Sequence, residues 1–256
     1  MIEGLSMEEY QGHLGLNATT LRLAHRFKAS QLLNQLKGQK SKTKKNQFQL
    51  GSLVHEKWME PEIYASKYLI LPSRFEGSDP SSRKKRAATQ STARATGRQM
   101  LPETLHLQVH KACEALDHHS EACEILEKSR VEVSCFWHEP LWGESKGRFD
   151  LLGEGWVVDL KCYHGGRSES NFLRSMRLQG LGLQLAWYQR GSQSLDLNVD
   201  RIGHLILDTE THQVRMRWLG AEEVEKANEN CDFALEQLRF IRDQHPELWH
   251  NSVSPN

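Results

Sequence analysis

Apolar and polar positions change period several times along the chain, and each change marks an element. From Asn17 to Leu36, Leu21, Phe27, Leu32 and Leu36 recur at helical spacing, and Asn17 or Thr19 can accept the free amide protons at the start. The stretch GSLVHEKWMEPE, residues 51–62, predicts a short helix ended near Pro61. Residues 102–128 return to helical periodicity. VEVSCFW (131–137), GRFDLL (147–152) and WVVDLK (156–161) then predict strands rich in Val, Phe and Trp. Residues 168–191 read as a helix interrupted by two glycines, 201–208 and 212–219 as a second hairpin around Thr209–Thr211, and 221–245 as a final helix. Between these, residues 76–98 offer almost nothing to a core and predict a long mobile loop. The order, without internal repeats, predicts one mixed α/β domain over 1–256, a central sheet flanked by helices.

A register follows for the hairpin at 147–162. With Glu154-Gly155 as a two-residue turn of type I′, Leu151 falls opposite Val158 and Phe149 opposite Leu160, all four on a core face. Asp150 then faces Asp159 on the other side, with Lys161 two residues on, and a one-residue slip would mix charged and apolar side chains on both faces. Facing carboxylates repel, so their anionic forms are disfavoured without a cation, and a divalent metal supplies one. The plain alternative is a surface Asp159–Lys161 pair on a half-exposed sheet.

Composition narrows the setting. The 256 residues carry 33 Lys and Arg against 33 Asp and Glu, so a nucleic-acid partner would need a local basic surface. Two basic clusters exist, KGQKSKTKK (37–45) and RKKR (83–86), each readable simply as solvated loop. Charged residues at 26%, with no long apolar run, predict a soluble protein without a membrane span. The first residues lack the basic start and apolar block of a signal peptide, and the five scattered cysteines show no CxxC spacing, so a reducing, cytoplasmic compartment is expected. Glu132 lies in the strand before the hairpin and could give a third oxygen ligand, although alone it reads as an exposed strand residue. His55 is a lone histidine on an upstream helix. Gln184 and Tyr188, four apart, share a helix face, where a tyrosine is ordinarily packing.

Taken together, Asp150 and Asp159-Leu160-Lys161 resemble the central motif of the PD-(D/E)xK nuclease superfamily, with Asp159 where many members carry Glu. FQLGSLVHEKWMEPEIY (48–64) is similar to the segment of RecE-type exonucleases in which a Gly-x-x-x-His helix supplies a metal-binding histidine ahead of an acidic-Pro-acidic turn. QLAWYQRG (184–191) matches the Q-x-x-x-Y element of RecB-like and RecE-like nucleases, and the opening helix is similar to the family's first. The resemblance spans roughly 8–245. It departs at Leu183, where relatives often carry tyrosine, and at Phe27-Lys28-Ala29, where a Ser-Pro step is usual.

The resemblance implies a restriction-endonuclease-like core and a metal-dependent 5′→3′ exonuclease, exonuclease VIII-like or lambda-exonuclease-like. Such an enzyme degrades one strand from double-stranded DNA ends, leaving 3′ tails for annealing-type recombination in a bacterial or phage-infected cell. It implies one or two Mg²⁺, with Mn²⁺ substituting, held by His55, Glu132, Asp150, Asp159 and the Leu160 carbonyl. Lys161 would position or activate water, and Gln184 and Tyr188 would hold substrate or orient the site. Thr20, Arg22, Arg26, Arg148 and Arg177 become candidate DNA contacts. A single-strand annealing protein and a ring-shaped homo-oligomer, trimer or tetramer, are the implied partners. Only Cys231 lies late in the chain, so the iron–sulfur cluster of some relatives is not expected. A structure-selective or single-strand nuclease on the same fold, and a non-catalytic DNA-binding relic, are the rival readings.

Overall fold

The computed structural model describes residues 1–36, 50–163, 173–174, 176–177 and 180–250. The basic run 37–45 and the first part of the helix expected over 168–191 lie outside these residues. Five strands form one mixed sheet in the order β3 (Ser129–Glu139), β4 (Gly143–Gly153), β5 (Gly155–Tyr163), β6 (Val199–Asp208), β7 (Val214–Trp218). Only β5 and β6 pair in parallel within it.

Both faces of the sheet are covered, so this is an α/β/α stack. On one face lie α2 (Ala18–Arg26), α3 (Ala29–Leu36), α9 (Leu181–Ser194) and α10 (Ala221–Gln244), burying Leu21, Leu32, Trp187 and Leu235 against Val133, Phe149 and Val157. On the other, α4 (Leu50–Met59), α7 (Glu103–Asp117) and α8 (Ser120–Glu127) bury Leu53, Val54, Val109 and Leu116 against Leu151, Val158 and Leu160. Among the described residues no helix is long and apolar enough to cross a membrane.

Several expectations are corrected at element ends. The helix expected over 17–36 divides at Phe27, whose extended φ −107° and ψ 145° stop α2; Asn17 is its cap, accepting from the Thr20 amide at 3.0 Å. Pro61 does more than end α4, because it stands in the first turn of α5 (Pro61–Lys67), where its missing N–H is no loss. The 76–98 segment, expected as a mobile loop, folds as the helix α6 (Pro80–Ala95). Asp79 caps it, accepting from the Ser82 amide at 3.0 Å, Pro80 follows, and the interior is rich in Arg, Lys and Ala, all good helix formers. The absence of an apolar stripe hid it. Helix α6 is the crossover between two short parallel strands, β1 (Tyr68–Leu71) and β2 (Gln99–Pro102).

Candidate metal and catalytic site

The site begins where two strands part. The Glu154-Gly155 turn and the pairing of Leu151 with Val158 are as expected, but the β4–β5 ladder stops there. Gly155 has φ +87° while Glu154 is not among the positive-φ residues, so the turn has the type II rather than the type I′ pattern. Phe149 and Leu160 do not pair. Instead the Leu160 amide donates to Asp150 Oδ2 at 2.8 Å, the carboxylate standing in for a neighbouring strand's carbonyl.

Phe149 is also not on the face of Leu151. It packs on Tyr188, ring centroids 4.6 Å apart, while Leu151 joins the opposite core. The switch occurs in β3 as well: Val131 packs with the Leu151 side and Val133 with the Phe149 side. Between them Glu132 has φ 50°, a left-handed conformation costing a non-glycine residue about 1–2 kcal/mol. Strain of this kind persists where surrounding structure over-determines it, commonly at functional sites. Glu132 and Asp150 therefore interrupt the alternation together, and the β4–β5 gap opens beside them.

Helix α4 brings His55 to this gap. A Cβ on Gly51 would lie 3.3 Å from Cys162 Cβ, so glycine lets the helix approach β5 closely, and His55 follows one turn later. His55 Nδ1 stands 3.5 Å from Asp150 Oδ2. Ligand atoms of His55, Glu132 and Asp150 all lie within 4.8 Å of one another. Burial, then the nearby Lys161, push the His55 imidazole down to about 4, so it is neutral and free to ligate at pH 7. Asp150 is raised well above the usual carboxylate range by burial and by the charges of Asp159 and Glu132. Two oxygen donors and a neutral imidazole around a carboxylate that lacks sufficient cationic charge fit a hard divalent ion.

Asp159 is fully buried and lies outside that trio, engaged instead by three neighbours. Its Oδ2 faces Lys161 Nζ at 2.6 Å and His204 Nδ1 at 3.1 Å, and its Oδ1 accepts from Gln184 Nε2 at 2.8 Å. Burial opposes ionisation, but Lys161 and His204 outweigh it and hold the Asp159 carboxyl well below the usual range. The two facing aspartates thus split, one easily ionised and one not. The Leu160 carbonyl, also an expected ligand, lies beside the His55 imidazole and favours its charged form, though less than burial and Lys161 oppose it.

Gln184 and Tyr188 do share a face of α9. The Gln184 amide nitrogen donates to both Asp159 and the Tyr188 hydroxyl, the latter at 2.8 Å, while its Oε1 accepts from Arg22 Nη1 at 3.4 Å. A Cβ on Gly147 would come within 2.9 Å of the Phe149 ring and 3.1 Å of Tyr188, so glycine is what lets α9 press its tyrosine onto β4.

The remaining candidates separate. Arg22 joins the site through Gln184. Arg148 is buried against Glu132 and donates to the Leu5 carbonyl at 2.6 Å, so it orders the site and is not presented for a DNA contact. The Thr20 hydroxyl donates to Asn17 Oδ1 at 3.3 Å, Arg26 is exposed over Phe27, and Arg177 is exposed. His204 was missed. It is the β6 partner of Asp159 in the parallel ladder, fully buried, with Nε2 lacking a hydrogen-bond partner among the described residues. Its sequence context, RIGHLILD, gives a polar residue in an apolar strand as the only signal.

Comparison with known proteins places this geometry. No curated protein matches the chain. A crystal structure from Eubacterium rectale, named "Putative exonuclease", has the same fold, with a TM-score of 0.59, 13% identity, and coverage of 96% of this chain and 88% of that one. The model for the PDDEXK-like domain of unknown function, DUF3799, matches residues 25–203, which include His55, both aspartates, Lys161 and the Gln184–Tyr188 pair. With more than half of its length accounted for in this way, the chain belongs to that PDDEXK-like family, within the PD-(D/E)xK nuclease superfamily.

Proposed function

We propose that the protein is a metal-dependent 5′→3′ exonuclease of the RecE type, removing one strand from double-stranded DNA ends. The convergence of His55, Glu132 and Asp150 beside the buried Asp159–Lys161 pair carries the hydrolytic reading. The Gly51-x-x-x-His55 and Gln184-x-x-x-Tyr188 elements, by their resemblance to RecE-type enzymes, support its polarity. The exonuclease name of the Eubacterium rectale protein agrees with it.

His55, Glu132 and Asp150 would hold the cation, and Asp159, whose Oδ1 accepts from Gln184 alone, would add a fourth ligand beside them. Mg²⁺ or Mn²⁺ bound there supplies Lewis-acid stabilisation of the phosphate and a lowered pKa for water. Lys161, partly exposed beside Asp159, holds the attacking water or balances charge on the phosphate oxygens. Arg148 fixes Glu132, and the Gln184 amide ties Asp159, Tyr188 and Arg22 into one unit that orients the site. On this reading the partners are DNA ends, an annealing protein and further copies in a ring.

The deciding experiment digests a linear duplex labelled at the 5′ or the 3′ end, with Mg²⁺ or EDTA, beside a covalently closed circle. Mg²⁺-dependent release of mononucleotides from the 5′ end, with the circle intact, is the expected result. Cutting of the circle would move the protein to the endonucleases, and no cleavage with any metal would leave a DNA-binding relic.

His204 gives a sharper expectation for the same assay. Its Nδ1 donates to Asp159, and groups that orient a metal site's carboxylates are commonly worth 10–100-fold in activity. His204→Ala should lose roughly that much, whereas His204→Asn, whose amide nitrogen occupies the Nδ1 position, should recover most of it. Equal activity of the alanine and asparagine variants would remove the positioning role.

A further inference from the structure

The basic helix α6 is used by nothing in the site. From Pro80 to Pro102 the chain has no acidic residue and six basic ones, Arg83, Lys84, Lys85, Arg86, Arg94 and Arg98, in a protein whose charges otherwise balance. A crossover helix ordinarily buries an apolar stripe against the strands it connects. Here only Ser82 and Ala93 of the sixteen helical residues are buried. Arg83, Lys84, Lys85 and Arg94 are exposed, and no ion pair or hydrogen bond engages their side chains among the described residues.

The other two basic residues anchor the helix. Arg86 Nη1 donates to the Glu76 carbonyl at 3.4 Å, and Arg98 Nη2 to the Ala65 carbonyl at 2.9 Å and also to that of Tyr68. Tyr68 in turn donates its hydroxyl to Glu56 Oε2 at 2.7 Å, on the helix that carries His55. The arm is thus tied through β1 to α4, the element that builds the metal cluster.

We propose that α6 is a backbone-contacting arm for duplex DNA, its exposed Arg83, Lys84, Lys85 and Arg94 binding phosphates outside the cleavage site. The inference rests on the nuclease reading and names where that substrate is gripped. Uncompensated charge along about 16 Å of helix matches the dense phosphate charge of a duplex. The exposed face carries no large apolar side chain to insert into a bilayer interface. A sequence-independent phosphate contact also needs no base-reading side chain, and arginine and lysine with exposed Ser91 and Thr92 suffice.

The test is equilibrium binding of a short fluorescein-labelled duplex in EDTA, followed by anisotropy between 50 and 200 mM salt. Wild type is compared with the combined Arg83→Gln, Lys84→Gln, Lys85→Gln, Arg94→Gln variant. These side chains are exposed and unpartnered, so thermal unfolding should be unchanged and serves as the folding control. The variant should bind at least about tenfold more weakly at low salt, with a log–log slope smaller by about 0.9 per lost contact, or 3 to 4 in all. Equal affinity and slope in a wild type that binds DNA would overturn the arm while leaving the nuclease reading intact. A wild type that ignores DNA would remove both. Loss of binding to anionic phosphatidylserine vesicles, with DNA binding unchanged, would instead assign the helix to a membrane surface and overturn the proposal.

Discussion

Asp150→Asn is expected to abolish metal-dependent cleavage and, in EDTA, to raise the thermal midpoint of the protein. The two effects have one cause. Asp150 is a carboxyl whose ionised form is opposed by burial and by the charges of Asp159 and Glu132, so its folded-state pKa lies above the unfolded one. A group raised in this way favours folding while protonated and opposes it once pH exceeds its unfolded value, so at pH 7 without metal it works against the fold. Asparagine keeps an oxygen to accept from the Leu160 amide and removes the charge, relieving the strain. What it cannot do is give a divalent cation an anionic ligand. A bound metal contributes several kcal/mol to a phosphoryl-type transition state, and at ~1.4 kcal/mol per tenfold its loss is roughly 10³-fold or more in rate. Thermal unfolding separates this from simple damage. Wild type at metal concentrations of 100 Kd should gain about 2.7 kcal/mol of stability over EDTA, and the variant should gain almost none. A variant still stabilised by Mg²⁺ or Mn²⁺ as strongly as wild type would place the ion elsewhere.

The site was legible in the sequence to the extent that its residues break local patterns. Asp150, Asp159 and Lys161 announce themselves as charges inside strand-like runs, whereas His55 stands out only by the resemblance of its Gly-x-x-x-His helix to RecE-type exonucleases. The chain's own alternation could not reveal the rest. Period-two reasoning placed Phe149 beside Leu151, yet the left-handed Glu132 and the opening of β4 from β5 turn Phe149 to the opposite core. Nothing local to GRFDLL encodes that turn, because the stimulus is the tertiary demand for a gap.

His204 escaped, and Arg148 was named only as a DNA contact, for a related reason. Each has a role fixed by a partner far along the chain, Asp159 for one and Glu132 for the other, and a lone polar residue in a strand does not name its partner. Helix α6 was lost to a different error, that of requiring an apolar stripe. Capping by Asp79 and Pro80 and the run of good helix formers were available in the sequence, and they outweigh a missing hydrophobic face when the helix stays at the surface.

Lys161→Met should separate catalysis from support. Lys161 faces Asp159 Oδ2 at 2.6 Å and is, after burial itself, the largest influence on that carboxyl. Because the folded-state pKa of Asp159 is depressed, the pair stabilises the protein above the unfolded value of 3.8, and that stability fades as pH falls through it toward the folded one. Methionine keeps the length of the side chain and removes the cation. Asp159 retains His204 and Gln184, so the loss at pH 7 should be below the 3–5 kcal/mol of a fully broken buried pair, about 2 kcal/mol. For a chain of this size that is a midpoint lower by about 4–8 °C, with the gap to wild type closing as pH is lowered below 4. Activity should fall much further, by about 10² to 10⁴, if the ammonium also holds the attacking water or balances charge on the phosphate. Metal-induced stabilisation should survive, since His55, Glu132 and Asp150 remain. A stability loss of the expected size with cleavage at the wild-type rate would restrict Lys161 to holding Asp159, and the water-positioning role would have to pass to another group.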